Sequence, residues 1–164
     1  MKKVTNDGED GSRRRGFVKT LKITAVILFL IYLSYLAFLT FFSRYYGRGF
    51  TQMYRSYNLV PFKTIIQYAT AFHNRNIAVT NLLGNVAAFV PMGFLPPFAW
   101  KRLSRFLPVL VLAAAASIVI EALQYITGAG SADIDDVILN TAGGILGYAF
   151  YYLPKKLLAR RKAS

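Results

Sequence analysis

Residues 23–42 read ITAVILFLIYLSYLAFLTFF, without one charged side chain. An apolar run of about 20 residues is the length an α-helix needs to cross a bilayer. Inside hydrocarbon every backbone polar group must find its partner within the segment, so such a run folds as a helix. Three more blocks of similar length follow, at 77–100, 106–126 and 136–153. The sequence therefore predicts an all-α integral membrane protein with four transmembrane helices. One membrane domain is expected over 19–153, between a disordered cytoplasmic tail at 1–18 and a basic cytoplasmic tail at 154–164. A signal peptide is the competing reading of the first block. Its apolar run is too long for that, and no small-x-small cleavage site follows it.

The chain carries a net charge of +13. Nucleic acid is not the expected partner, because fifteen of the twenty Lys and Arg residues fall in three groups. One precedes the first block, one lies at Lys101, Arg102 and Arg105, and one follows the last block. Alternate connections carry the excess, as the positive-inside rule requires. The expectation is a multi-pass membrane protein with both termini cytoplasmic. There is no cysteine, which removes disulfides and thiolate chemistry.

Residues 43–76 then lie outside. They hold Arg44, Arg48, Arg55, Lys63 and Arg75, no acid, and Tyr45, Tyr46, Tyr54 and Tyr57. After Pro61 the apolar spacing predicts a short interfacial or re-entrant helix between helices 1 and 2. Basic and aromatic groups suit either an interfacial anchor or a phosphate-bearing headgroup, with Arg55 and Arg75 as candidates. His73 has no obvious partner and is read as a bystander.

Four of the seven acids, Glu121, Asp133, Asp135 and Asp136, sit in or beside the last two blocks. An ionised acid turned to lipid costs about 2.5–3.5 kcal/mol by insertion scales. The topology puts Asn81 and Asn85 in the outer half of helix 2, Glu121 and Gln124 in that of helix 3, and Asp136 and Asn140 in that of helix 4. These groups should therefore face the bundle interior or an outward-opening cleft. The structural alternative is a clamp of interhelical hydrogen bonds, with Asp133, Asp135 and Asp136 as a solvated helix entrance. Glu121 and Asp136 are the candidates for acid–base work, Glu121 as the protonated member. The same oxygens could hold a divalent cation, but no metal site or cofactor is expected. Gly143 and Gly147 form a GxxxG pair, a candidate seam for a homo-oligomer.

Four blocks are similar to one known family: NLVPFKTI at 58–65, NLLGNVAAFVPMGFLPP at 81–97, EALQ at 121–124 and DIDDVILNTAGGILGY at 133–148. In this order they resemble the VanZ-like family. The resemblance implies a small bacterial membrane protein associated with resistance to glycopeptide antibiotics, teicoplanin above all. By residue it points to Asn58, Pro61, Asn81, Asn85, Pro91, Gly93, Glu121, Gln124, Asp133, Asp135, Asp136 and Asn140. Relatives often carry arginine and an aromatic residue between the third and fourth blocks, where this chain has GAGSA. The expected function is binding of a lipid-linked cell-wall precursor, a lipoglycopeptide or an anionic lipid in the outer cleft. The alternative is a membrane-embedded enzyme that modifies such a lipid through Glu121 and Asp136.

Overall fold

The computed structural model describes residues 4–42, 56–70 and 75–161, with side chains from residue 11 in the first stretch and from residue 78 in the third. Arg44, Arg48, Arg55, His73, Tyr45, Tyr46 and Tyr54 lie outside the described residues. Arg75 opens a helix, but its side chain also lies outside them.

The first apolar block is part of α1 (Val4–Phe41). The sequence predicts a disordered tail over 1–18; the structure instead continues the helix back to Val4. Once the apolar segment has formed a helix, each added residue contributes one hydrogen bond without a new nucleus. Residues 12–24 of this helix are exposed, and a Cβ added at Gly11 or Gly16 would meet nothing within 4 Å. Within the span only Ala25, Leu36 and Thr40 are buried, so α1 touches its neighbours along a narrow line.

After β1 (Tyr57–Asn58) comes α2 (Lys63–Ala69), a helix of seven residues with none buried. It stands where the sequence predicts a short helix. The next span is α3 (Arg75–Phe94), followed by α4 (Pro96–Ala99). Pro96 and Pro97 have no N–H to continue the ladder, so the helix stops at Phe94 and restarts with prolines in its first turn. The predicted single helix over 77–100 is thus two. A 3₁₀ turn (Lys101–Ser104) leads into α5 (Phe106–Thr127). Gly128, at φ 71°, closes α5 in the left-handed conformation that glycine adopts without strain. After β2 (Ala132–Asp133), α6 runs over Ile134–Arg161, past Pro154 and beyond the predicted end at 153.

Among the described residues three helical stretches are long and apolar enough to cross a membrane: Gly11–Phe41, Ala78–Ala99 and Phe106–Thr127. α6 is long enough, but its polar first turns and basic end lower its apolar content.

Glycine decides how the helices pair. A Cβ at Gly143 would strike the Val86 carbonyl, and one at Gly147 the Val90 carbonyl. A Cβ at Gly93 would strike the Gly144 carbonyl in return. The two registers advance together, so α3 and α6 run parallel with their backbones in contact. This is the most extensive helix interface in the molecule. Gly143 and Gly147 are therefore covered by α3 of the same chain, which fills the face that the sequence offers as a seam between copies.

α5 runs the other way: Ser117 bonds Asn140, and Phe106 lies 5.8 Å ring to ring from Tyr148. α1 is also antiparallel to α3, since Tyr32 donates to the Ala88 carbonyl at 2.9 Å and Phe29 meets Trp100 edge-on at 5.8 Å. Leu36, Phe89, Met92 and Ala113 form the buried apolar centre. One end of this bundle gathers Glu121, Asp133, Asp135 and Asp136; the other gathers Lys101, Arg102, Arg105 and the tyrosines of α6.

Candidate functional site

The polar end is built from three tiers of hydrogen bonds. The first lies between helices. Buried residues on α5 fall at Val109, Ala113, Ser117, Glu121 and Gln124, one stripe at helical spacing. Asn140 donates to the Ser117 hydroxyl at 2.9 Å, joining α6 to α5. Gln124 donates to the Thr40 carbonyl at 2.9 Å, joining α5 to α1. Asn85 donates to Asp136 at 2.5 Å, joining α3 to α6. Each contact crosses two elements at the depth where an unpartnered amide would be costly.

The middle tier holds the return link. Glu121, 6% exposed, accepts the Asp133 backbone N–H at 2.9 Å. That bond fixes β2 above the end of α5. β2 pairs in parallel with β1, Tyr57 beside Ala132 and Asn58 beside Asp133. Two-residue strands cannot stand alone; side chains complete the joint. Asp133 accepts from the Thr64 hydroxyl at 2.6 Å, from the Asn58 amide at 3.0 Å and from the Asp135 N–H at 2.9 Å.

The outer tier is Asp135, which is fully buried. Its carboxylate receives the backbone N–H groups of Phe62 at 2.5 Å, Thr64 at 2.7 Å and Ile65 at 3.1 Å. These are the donors that the first turn of α2 leaves open, and the helix dipole adds to the attraction. No side chain within α2 caps it. Phe62 holds φ 65°, a conformation that side chains rarely adopt. The carboxylate reaching across from α6 secures it.

The structure thus brings together most of the residues expected at a site. Asn58, Asn85, Glu121, Gln124, Asp136 and Asn140 all stand at this end, and Asn81 is half-buried one turn before Asn85. Their partners differ from expectation in one respect. Asp133 and Asp135 are not a solvated helix entrance; their oxygens hold α2 and β1 in place. For Asp135, sequence reasoning missed this because the donors are backbone groups about 70 residues away, which leave no side-chain signature. It also missed Ser117 and Thr40 as partners of Asn140 and Gln124. Among the described residues no group of three His, Asp or Glu could hold a metal ion. No buried side-chain polar atom described here lacks a partner.

Above this joint the surface turns apolar. Tyr57, Leu59, Val60, Phe62 and Ile66 are exposed together around α2. The lower half of α2, through Thr64, Ile65 and Tyr68, leans on the bundle.

The model of the VanZ/LLP1 family matches residues 29–157, from the middle of α1 through most of α6. The chain belongs to the VanZ/LLP1 family. Among curated proteins it is similar to "Protein VanZ" of Enterococcus faecium, 36% identical over 108 residues. That match covers 66% of this chain and 60% of the relative, so the relative has length that this chain does not span. No solved structure matches. With its three apolar helices, this VanZ/LLP1 member is a multi-pass membrane protein.

Proposed function

We propose that this protein lowers sensitivity to glycopeptide antibiotics of the teicoplanin type, and that it does so by binding rather than by catalysis. The ligand is an amphiphile with a hydrogen-bonding headgroup: a lipid-linked wall precursor, a lipoglycopeptide or an anionic lipid. In this reading α6 is a fourth span, the acid-bearing end faces outward and both termini are cytoplasmic. α2 lies in the outer interface with its apolar side chains towards lipid.

One observation carries the reading. Carboxylates and amides from α3, α5 and α6 meet at one end of the bundle, beside a short helix with exposed apolar residues. Such a site offers polar groups to a headgroup and an apolar flank to its lipid. Catalysis is less well supported. Asp133 and Asp135 spend their oxygens on fixed donors, and one Glu121 oxygen is committed to a backbone N–H.

The test uses a teicoplanin-sensitive bacterial host producing the protein, Glu121→Gln or Asp136→Asn at matched membrane levels. The wild type is expected to raise the inhibitory concentration and both variants to return it towards that of cells without the protein. Mass spectrometry of lipid-linked precursors is expected to show the same species in all cells. Full resistance in both variants removes the role of this site; a new precursor mass that only the wild type makes replaces binding by catalysis.

A further inference from the structure

The basic end of the bundle carries a second site. We propose that the turn at residues 101–105 seats the phosphate of an anionic phospholipid, independently of the polar end described above.

The turn is held rigidly. Trp100 donates its N–H to the Pro96 carbonyl and Leu103 to that of Trp100, each at 2.9 Å. The Ser104 hydroxyl donates to the Lys101 carbonyl at 2.7 Å. From α6, the Tyr148 hydroxyl donates to the Ser104 carbonyl at 3.0 Å. Lys101, Arg102 and Arg105 thus project from a backbone fixed at both ends, and all three are exposed. With Leu103, Ser104 and Pro108 they line a hollow of ≈ 830 Å³.

No acid whose side chain is described lies near this hollow. No Asp or Glu occurs between Asp10 and Glu121. Glu121 is sixteen residues along α5 from Arg105, about 24 Å at 1.5 Å rise per residue. Of the other basic residues at this end, Lys155 donates to the Tyr151 hydroxyl and lies over that ring, and Lys156 lies over Tyr152. Arg13, Arg14, Arg15, Lys19 and Lys22 line a separate hollow along α1. Lys101, Arg102 and Arg105 line the hollow at the turn.

The surroundings point to a lipid rather than a soluble anion. Trp100, Phe106 and Leu107 are exposed beside the turn, at the ends of two membrane helices. Tryptophan at such a position marks headgroup depth. Acyl chains would lie on the apolar side chains while the phosphate meets the cations. Arginine pairs meet phosphate oxygens with two donors each, which lysine cannot reproduce.

The experiment uses the full chain in nanodiscs of phosphatidylcholine with increasing phosphatidylglycerol, followed by release and native mass spectrometry. A variant with Lys101→Gln, Arg102→Gln and Arg105→Gln is compared with Arg13→Gln, Arg14→Gln and Arg15→Gln, which removes equal charge from the extension of α1. A third variant, Arg102→Lys with Arg105→Lys, keeps charge and hence membrane orientation. Wild type is expected to retain phosphatidylglycerol over phosphatidylcholine. At roughly fivefold per cation near an anionic surface, the turn variant should lose about a hundredfold in preference. The extension variant should stay close to wild type and the lysine variant should fall between. Equal loss in both glutamine variants, or lysine variants indistinguishable from wild type, means diffuse charge and overturns the seat. Displacement of the lipid by millimolar inorganic phosphate makes it a site for the free anion and overturns the lipid assignment. Should the turn variant not insert, the lysine variant alone decides by the same readout.

Discussion

Asp135 shows how much a single side chain can organise. Its carboxylate meets three backbone donors from a segment some seventy residues earlier. Asp135→Ala would leave those N–H groups without acceptors. Hydrogen bonds to a charged group contribute about 1.5–3 kcal/mol each, and losing the acceptor exposes the full desolvation cost of the donors. The expected outcome is release of α2 with the bundle retained. Hydrogen exchange read by mass spectrometry should show peptides containing Thr64 and Ile65 losing protection, with α5 unchanged. Asn140 makes a contrasting case between helices. Asn140→Leu with Ser117→Ala removes both partners of one buried bond, so it should cost less than Asn140→Leu alone; thermal unfolding in detergent checks the order.

The position of Glu121 as a buried, expensive acid was legible because its neighbours are apolar at helical spacing. Asp135 was not legible, since an acid in the first turn of a helix reads equally as an ordinary, solvated helix entrance. The difference lies in what approaches it from outside its own helix. Asn85 and Asp136 stand between these cases: topology puts both at one end of the bundle, but their pairing depends on α3 and α6 running side by side.

At the scale of elements, the α3–α6 contact is set by absent side chains. Gly143→Leu or Gly147→Leu would drive a side chain into a carbonyl of α3, with no flexible atom to yield. Overpacking costs typically 1–3 kcal/mol and more where backbone must move. Both variants should unfold at lower temperature, whereas Gly16→Ala should be neutral or gain about 0.5–1 kcal/mol by helix propensity. Light scattering in detergent should show the same oligomeric state for these variants wherever they remain folded, because the glycine face is already occupied within the chain. The GxxxG spacing announces a close helix contact but not its partner. Parallel packing of α3 and α6 follows from four helices with alternating direction, so it was within reach of the sequence. The break at Pro96 and the two-residue strand pair were less so: prolines in a row fit a kink as well as a restart, and a pair of two-residue strands has no periodicity to read.

At the scale of the whole molecule, Glu121, Asp133, Asp135 and Asp136 stand at the end opposite Lys101, Arg102 and Arg105. The absence of cysteine allows single probes without background. Thr70→Cys is exposed beside α2, and Lys156→Cys is exposed on α6 beyond the bundle. In intact cells an impermeant maleimide should label position 70 and leave 156 untouched until the membrane is opened. Labelling of both from outside would place α6 at the surface rather than across the membrane and would remove the fourth span.

The parallel pairing of α3 with α6 also bears on how the protein is made. α6 leaves the ribosome after α5, and its opening turns are polar, so a translocation channel would release it into lipid reluctantly on composition alone. Its receptor is already in the membrane: the α3 backbone, narrow enough to accept glycine, with Asn85 in place to meet Asp136. Until then α3 carries an exposed amide and an unfilled groove. In the reading that makes α6 a fourth span, its insertion and the completion of the bundle are one event, and a chain stopped before residue 134 should persist only as prey for membrane proteases.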